Sequence, residues 1–209
     1  MRAATWGDRR AARYRSDVGC AGLLLTGGSS RRLGTDKATL LMRGERLVDR
    51  SLRLLGEVSD PMIEVGPGYG EGPSVCESPP GAGPLAALGA GASALATGGF
   101  QGAALVLAVD LPGIDAAVLA WLVEHPAPAT VVPIVDGMPQ MLCARYGADA
   151  LDAVPALLAA GERSLRALLA VVTVHEAHRD EWGRVASPSA FADIDTPEDA
   201  ARAGVDWPG

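Results

Sequence analysis

The 209 residues suffice for one domain with a full core, and 48% hydrophobic against 21% charged residues is too apolar for disorder. A formal net charge of -7 excludes broad electrostatic capture of nucleic acid, so any phosphate site needs a local cluster of positive groups. Cys20, Cys76 and Cys143 form no Cys-x-x-Cys pair, which excludes a zinc knuckle or disulfide framework and fits a reducing cytoplasm.

Residues 1–18 carry Arg2, Arg9, Arg10, Arg13 and Arg15 but no apolar run, and read as a loose basic arm rather than a signal peptide. Residues 19–209 read as a single domain. Leu23-Leu24-Leu25 after Ala21-Gly22 is a short apolar run stopped by glycines, as in a strand buried on both faces. Leu47, Leu52, Leu54 and Leu55 recur at helical spacing, and Asp60-Pro61 marks a break before a second strand, Met62 to Val65. The uncharged stretch from Gly81 to Val109 is long enough to span a bilayer, yet its seven glycines, Pro84 and Gln101 favour a helix over Leu85 to Ala96 followed by a strand over Ala103 to Val109. No membrane span is expected.

A helix over Asp115 to Glu124 and a strand over Thr130 to Ile134 continue the alternation, which implies parallel pairing and an α/β sandwich. Asp136-Gly137 then predicts a hairpin turn into a strand over Gln140 to Tyr146, which makes the sheet mixed. Helices follow at Ala148 to Ala160, where Pro155 predicts a kink or restart, and at Ser164 to Ala170, with a last strand over Val171 to Val174. Thr196-Pro197-Glu198-Asp199 supplies a capping hydroxyl, an N1 proline and early acids for a C-terminal helix. In such sheets ligands bind beyond the carboxyl ends of the parallel strands. The segments after Leu25, after Val109 and before Pro197 fall there.

Gly27-Gly28 directly after a buried strand permits a tight turn with exposed amides, and Arg31, Arg32 and Lys37 add positive charge. The spacing is neither a P-loop nor a dinucleotide fingerprint. Lys37 is the only lysine beside 17 arginines, so one position retains a compact ammonium where a planar fork is used everywhere else. Asp110, at a strand end before Leu111-Pro112, is the kind of single carboxylate that magnesium takes alongside water and phosphate oxygens. Lys37 thus marks a phosphate-binding position and Asp110 a candidate magnesium ligand.

The string Leu25-Thr26-Gly27-Gly28-x-Ser30-x-Arg32-Leu33-Gly34-x-Asp36-Lys37-Ala38 resembles the molybdenum cofactor guanylyltransferase signature, Leu-Ala-Gly-Gly-x-Ser-x-Arg-Met-Gly-x-Asp-Lys-Ala. It departs at Thr26 and Leu33. The resemblance continues through Gly83-Pro84-Leu85-Ala86, Val109-Asp110-Leu111-Pro112, Gly161 to Arg166 and Asp193-Ile194-Asp195-Thr196-Pro197-Glu198. It implies a Rossmann-like nucleotidyltransferase sandwich with helices on both faces, and magnesium-dependent transfer of GMP from GTP to the phosphate of molybdopterin, with Arg32, Lys37 and Asp110 as the catalytic residues and Asp110 as metal ligand. By motif position it places Leu25, Thr26, Gly27, Gly28, Lys37, Glu77, Gly83, Pro84, Leu85 and Asp110 on the nucleotide, and Gln140, Asp193 and Asp195 toward molybdopterin. Molybdoenzymes or their chaperones are the expected protein partners, and neither nucleic acid nor membrane is.

Two alternatives stay open: a cytidylyl- or sugar-phosphate nucleotidyltransferase on the same scaffold, and a non-catalytic nucleotide- or cofactor-binding module. His175 and His178, with Asp180 and Glu181, read as solvated in a polar segment, with no third ligand placed for a metal. Ser29 and Ser30 have no histidine near in sequence, so a serine nucleophile lacks support.

Overall fold

The computed structural model describes residues 19–27 and 36–208; the basic arm, Gly28 and Arg32 lie outside the described residues. The chain forms β1 (Ala21–Leu25), a 3-10 turn (Lys37–Thr39), β2 (Leu41–Met42), β3 (Glu45–Arg46), α1 (Leu47–Val58), β4 (Met62–Val65) and β5 (Ser74–Val75). It continues with α2 (Pro84–Thr97), β6 (Ala104–Ala108), α3 (Ala116–Glu124), β7 (Thr130–Val135), β8 (Met138–Pro139) and β9 (Cys143–Tyr146). α4 (Ala148–Ala159), α5 (Leu165–Leu169), β10 (Val174–Ala177), α6 (Arg179–Trp182), a second 3-10 turn (Pro188–Phe191), α7 (Pro197–Ala203) and β11 (Val205–Asp206) complete it.

The main sheet runs β10-β7-β9-β6-β1-β4-β5, with β8 paired to β7. β1 lies parallel to β4 and β6, in register Leu23 to Ile63 and Leu23 to Val106, and β9 runs antiparallel to β6. The expected mixed, mostly parallel α/β sandwich is therefore present. Alternation along β1 divides the core in two: Leu24 packs with residues of α1 and α3, while Leu23 and Leu25 pack with residues of α2, α4 and α5. Helix α1 buries Leu47, Val48, Ser51, Leu54 and Leu55, one stripe at helical spacing. Helix α2 lies close on the sheet because Gly91 has no side chain: a Cβ there would sit 2.9 Å from both Leu23 methyls. That close seat, under a helix of small residues, accounts for the uncharged stretch. Among the described residues no helix is long and apolar enough to cross a membrane.

Three expectations shift. The strand expected over Gln140 to Tyr146 splits, because the Gln140 amide bonds back to the Pro133 carbonyl (2.8 Å) and Cys143 N to Gln140 O (3.1 Å), turning the chain between β8 and β9. The last strand begins at Val174 rather than Val171, whose amide still bonds to Leu168 at the end of α5; pairing to β7 starts at Val174 with Thr130. Pro155 sits inside α4 without restarting it.

A second, three-stranded sheet, β11-β2-β3, positions the site. β2 follows the Lys37 turn and β11 follows α7, so their pairing, Met42 with Val205, draws the segment before α7 against that turn.

Candidate active site

At the carboxyl ends of β1 and β6, Lys37 Nζ lies 3.1 Å from Asp110 Oδ2 and 2.5 Å from Asp195 Oδ1. Asp36 caps the Lys37 turn through the Ala38 amide (3.2 Å), and the Asp110 carbonyl accepts the Ile194 amide (3.1 Å), fixing 193–195 beside the end of β6. The Lys37 side chain is only 10% exposed. Burial pulls its pKa down, but the Asp195 and Asp110 carboxylates outweigh that and hold it above the ordinary lysine value, so it is an ammonium at neutral pH. Asp193 is pushed up by burial and by the charges of Asp195 and Asp110. Two carboxylates thus share one ammonium, with Asp193 within range of their charges.

Lys37 and Asp110 line a cleft of about 500 Å³ together with Thr26, Gly27, Gly66, Glu77, Gly83 and Pro84. Glu77 is buried; one carboxylate oxygen accepts the Gly81 amide at 2.7 Å, and the other meets the weakly donating Cys76 thiol at 3.7 Å. Gly83 caps and Pro84 opens α2, whose positive N-terminal end therefore faces the cleft. The Arg163 carbonyl accepts the Leu85 amide at 3.2 Å, so the Gly161 to Arg166 segment braces this helix start.

The family model for the MobA-like NTP transferase domain matches residues 22–181, a span that contains this cleft. The chain belongs to this family. A protein of Mycobacterium marinum named "Probable molybdenum cofactor guanylyltransferase" is 34% identical over 197 residues, covering 90% of this chain and 97% of that protein. A protein of Opitutus terrae with the same name is 38% identical over 163 residues, or 73% of this chain and 78% of its own. Among solved structures, molybdopterin-guanine dinucleotide biosynthesis protein A from Archaeoglobus fulgidus has a TM-score of 0.72 at 23% identity, covering 88% of this chain and 96% of that one. 2-C-methyl-D-erythritol 4-phosphate cytidylyltransferase from Thermus thermophilus has a TM-score of 0.60 at 16% identity, covering 90% and 98%. Both share the fold.

In this MobA-like transferase, Leu25, Thr26, Gly27, Lys37, Glu77, Gly83, Pro84 and Asp110 line one cleft. Leu85 does not; its side chain is fully buried in the core. Gln140 turns its amide to the Met138 carbonyl (3.1 Å), and Leu142 from the same connection lines the cleft instead. Asp195 joins Asp110 on Lys37. Sequence reading missed Glu64, a charge in an otherwise apolar strand and 3% exposed, which accepts from Thr26 Oγ1 at 2.7 Å. The single charge inside the apolar run Met62 to Val65 was the available signal.

The histidines pair differently from their sequence spacing. His175 Nε2 and His125 Nε2 both reach Glu181 Oε2, at 2.8 and 3.2 Å, whereas the His178 amide meets Glu181 Oε1. These three side chains have metal-ligand proximity. However, the Ala127 amide donates to His125 Nδ1 at 3.2 Å, which leaves the neutral ring its proton on Nε2, pointing at Glu181. A metal on Nε2 would force that proton onto Nδ1, against the amide. The cluster is a hydrogen-bonded clasp between the end of α3, β10 and α6.

Proposed function

We propose that the protein transfers GMP from GTP to the phosphate of molybdopterin, giving the guanine dinucleotide form of the cofactor and pyrophosphate. The observation that carries this is Lys37 held between Asp110 and Asp195, in a cleft that the buried Glu77 also lines. A phosphate monoester is an anion at neutral pH, so its oxygen attacks the α-phosphorus in line while the bond to the pyrophosphate oxygen breaks. No strong general base is needed. Lys37 moves from its carboxylates onto the triphosphate oxygens, exchanging one anionic partner for another. Gly27, exposed directly after β1, offers its amide to the same oxygens, with Arg32 as a further cation.

Two carboxylates on one ammonium leave surplus negative charge, and such oxygen donors fit magnesium, which takes few protein carboxylates beside water and phosphate oxygens. Asp110 and Asp195 would hold the ion, which neutralises charge on the phosphate oxygens. Glu77 supports guanine. Guanine presents two adjacent donors, N1–H and N2–H, to a carboxylate, whereas adenine and cytosine place a lone pair beside their single amino group. Residues 19–209 serve as the catalytic domain, with 1–18 an appended basic arm, in the cytoplasm where GTP is available.

Thermal unfolding with magnesium and each of four nucleotides tests this choice. GTP at a hundredfold excess over Kd raises stability by about 2.7 kcal/mol, or roughly 5–10 °C in Tm, and CTP, ATP and UTP give less. A larger shift with CTP overturns the guanylyl reading.

A further inference from the structure

Glu64 occupies the interior of β4, where a parallel strand covered on both faces asks for an apolar residue. Burying a carboxylate is costly unless its oxygens are satisfied. Four neutral donors satisfy this one: Thr26 Oγ1 (2.7 Å), Gly68 N (3.1 Å) and Tyr69 N (2.8 Å) on Oε1, and Gly70 N (2.9 Å) on Oε2. It therefore gathers the turn after β1 and the loop after β4 onto one group. Gly66 completes the fit: its φ is +154°, and a Cβ there would collide with Thr26 Oγ1. Tyr69 O–H donates to Asp36, the cap of the Lys37 turn, so the same loop also reaches the lysine.

Thr26 is where the chain departs from the alanine of the signature it resembles. An alanine has no hydroxyl to offer a buried acid. We propose that Thr26 and Glu64 are a coupled positioning pair that sets the nucleotide wall of the cleft, the Thr26 hydroxyl having its task only in the presence of the acid. The pair touches no reacting atom; it acts through the backbone of Thr26, Gly27 and Gly66, which line the cleft. This rests on the nucleotidyltransferase reading, and direct nucleotide binding keeps the two separable.

A double-mutant cycle on the full chain tests it, with Thr26→Ala, Glu64→Gln and their combination, measuring Kd by calorimetry for whichever nucleotide the wild type binds most tightly. If that nucleotide is not GTP the guanylyl reading falls, and the cycle still tests the pair. Each single substitution weakens binding about fivefold, and the double is no weaker than Glu64→Gln alone. Thr26→Ser, which keeps the hydroxyl, stays within about twofold of wild type, and KM for molybdopterin is unchanged in all variants. Should Glu64→Gln fail to fold, the comparison of Thr26→Ala with Thr26→Ser decides alone. Losses that add in the double variant, a Thr26→Ser defect equal to that of Thr26→Ala, or an unchanged Kd overturn the pair.

Discussion

Asp193 and Lys37 face the same crowd of charges from opposite sides of zero. Lys37 has a raised pKa, so the native state binds its proton more firmly than the unfolded chain; that stabilisation is full below the ordinary value of 10.5 and is lost as pH rises through the folded one. Asp193 is raised too, but for an acid this means its charge at neutral pH is a penalty, absent below the ordinary value of 3.8 and growing as pH rises through the folded value. Asp193→Asn should therefore raise Tm at pH 7, in the absence of magnesium, by about 1–2 °C, the gain being small because solvent screens the group. At pH 3 the gain should vanish. A Tm at pH 7 equal to or below that of wild type would contradict the assignment of surplus charge to this cluster.

At the scale of elements, Arg145 shows how one strand finishes a helix on its neighbour. Helix α3 ends at His125 with extended backbone and no glycine cap. The buried Arg145 guanidinium on β9 donates instead to the carbonyls of Val123 (3.0 Å), His125 (2.9 Å), Ala127 and Ala129 (3.3 Å). Burial lowers its pKa, yet it stays a cation directed at the negative end of the helix. Arg145→Met should cost about 3 kcal/mol and lower Tm by roughly 6–12 °C, read by thermal melting, because four half-buried carbonyls lose a charged donor. A loss below about 1 kcal/mol would mean that water replaces the guanidinium. None of this was legible in sequence, where Arg145 is one charge in a predicted strand. Thr196 at the start of α7 was legible, because its capping box with Asp199 is local and closes within four residues. The two misplaced strand ends follow the same rule: β10 begins where Thr130 is available to pair, which its own residues do not record.

Across the whole molecule the site assembles from three chain segments that sequence reading had each marked as strand-end or pre-helix loops. Lys37 and Asp110 stood out for reasons internal to the chain, a lone lysine and an acid after an apolar run, whereas Asp195 was marked only by the family resemblance. Their meeting at one nitrogen was not readable, since Lys37 and Asp195 lie 158 positions apart and are joined by the β2–β11 pairing. The same holds for Glu64 and Thr26, 38 positions apart. Motifs report which residues a site uses, and only the sheet order reports which of them touch.

The most direct test is pyrophosphate release with molybdopterin as acceptor, over four nucleotides, for wild type and Asp110→Ala. We expect release that requires both GTP and molybdopterin, and a fall of at least about a hundredfold on Asp110→Ala with the fold retained by circular dichroism. Equal or faster release with CTP, or undiminished turnover in folded Asp110→Ala, would contradict it.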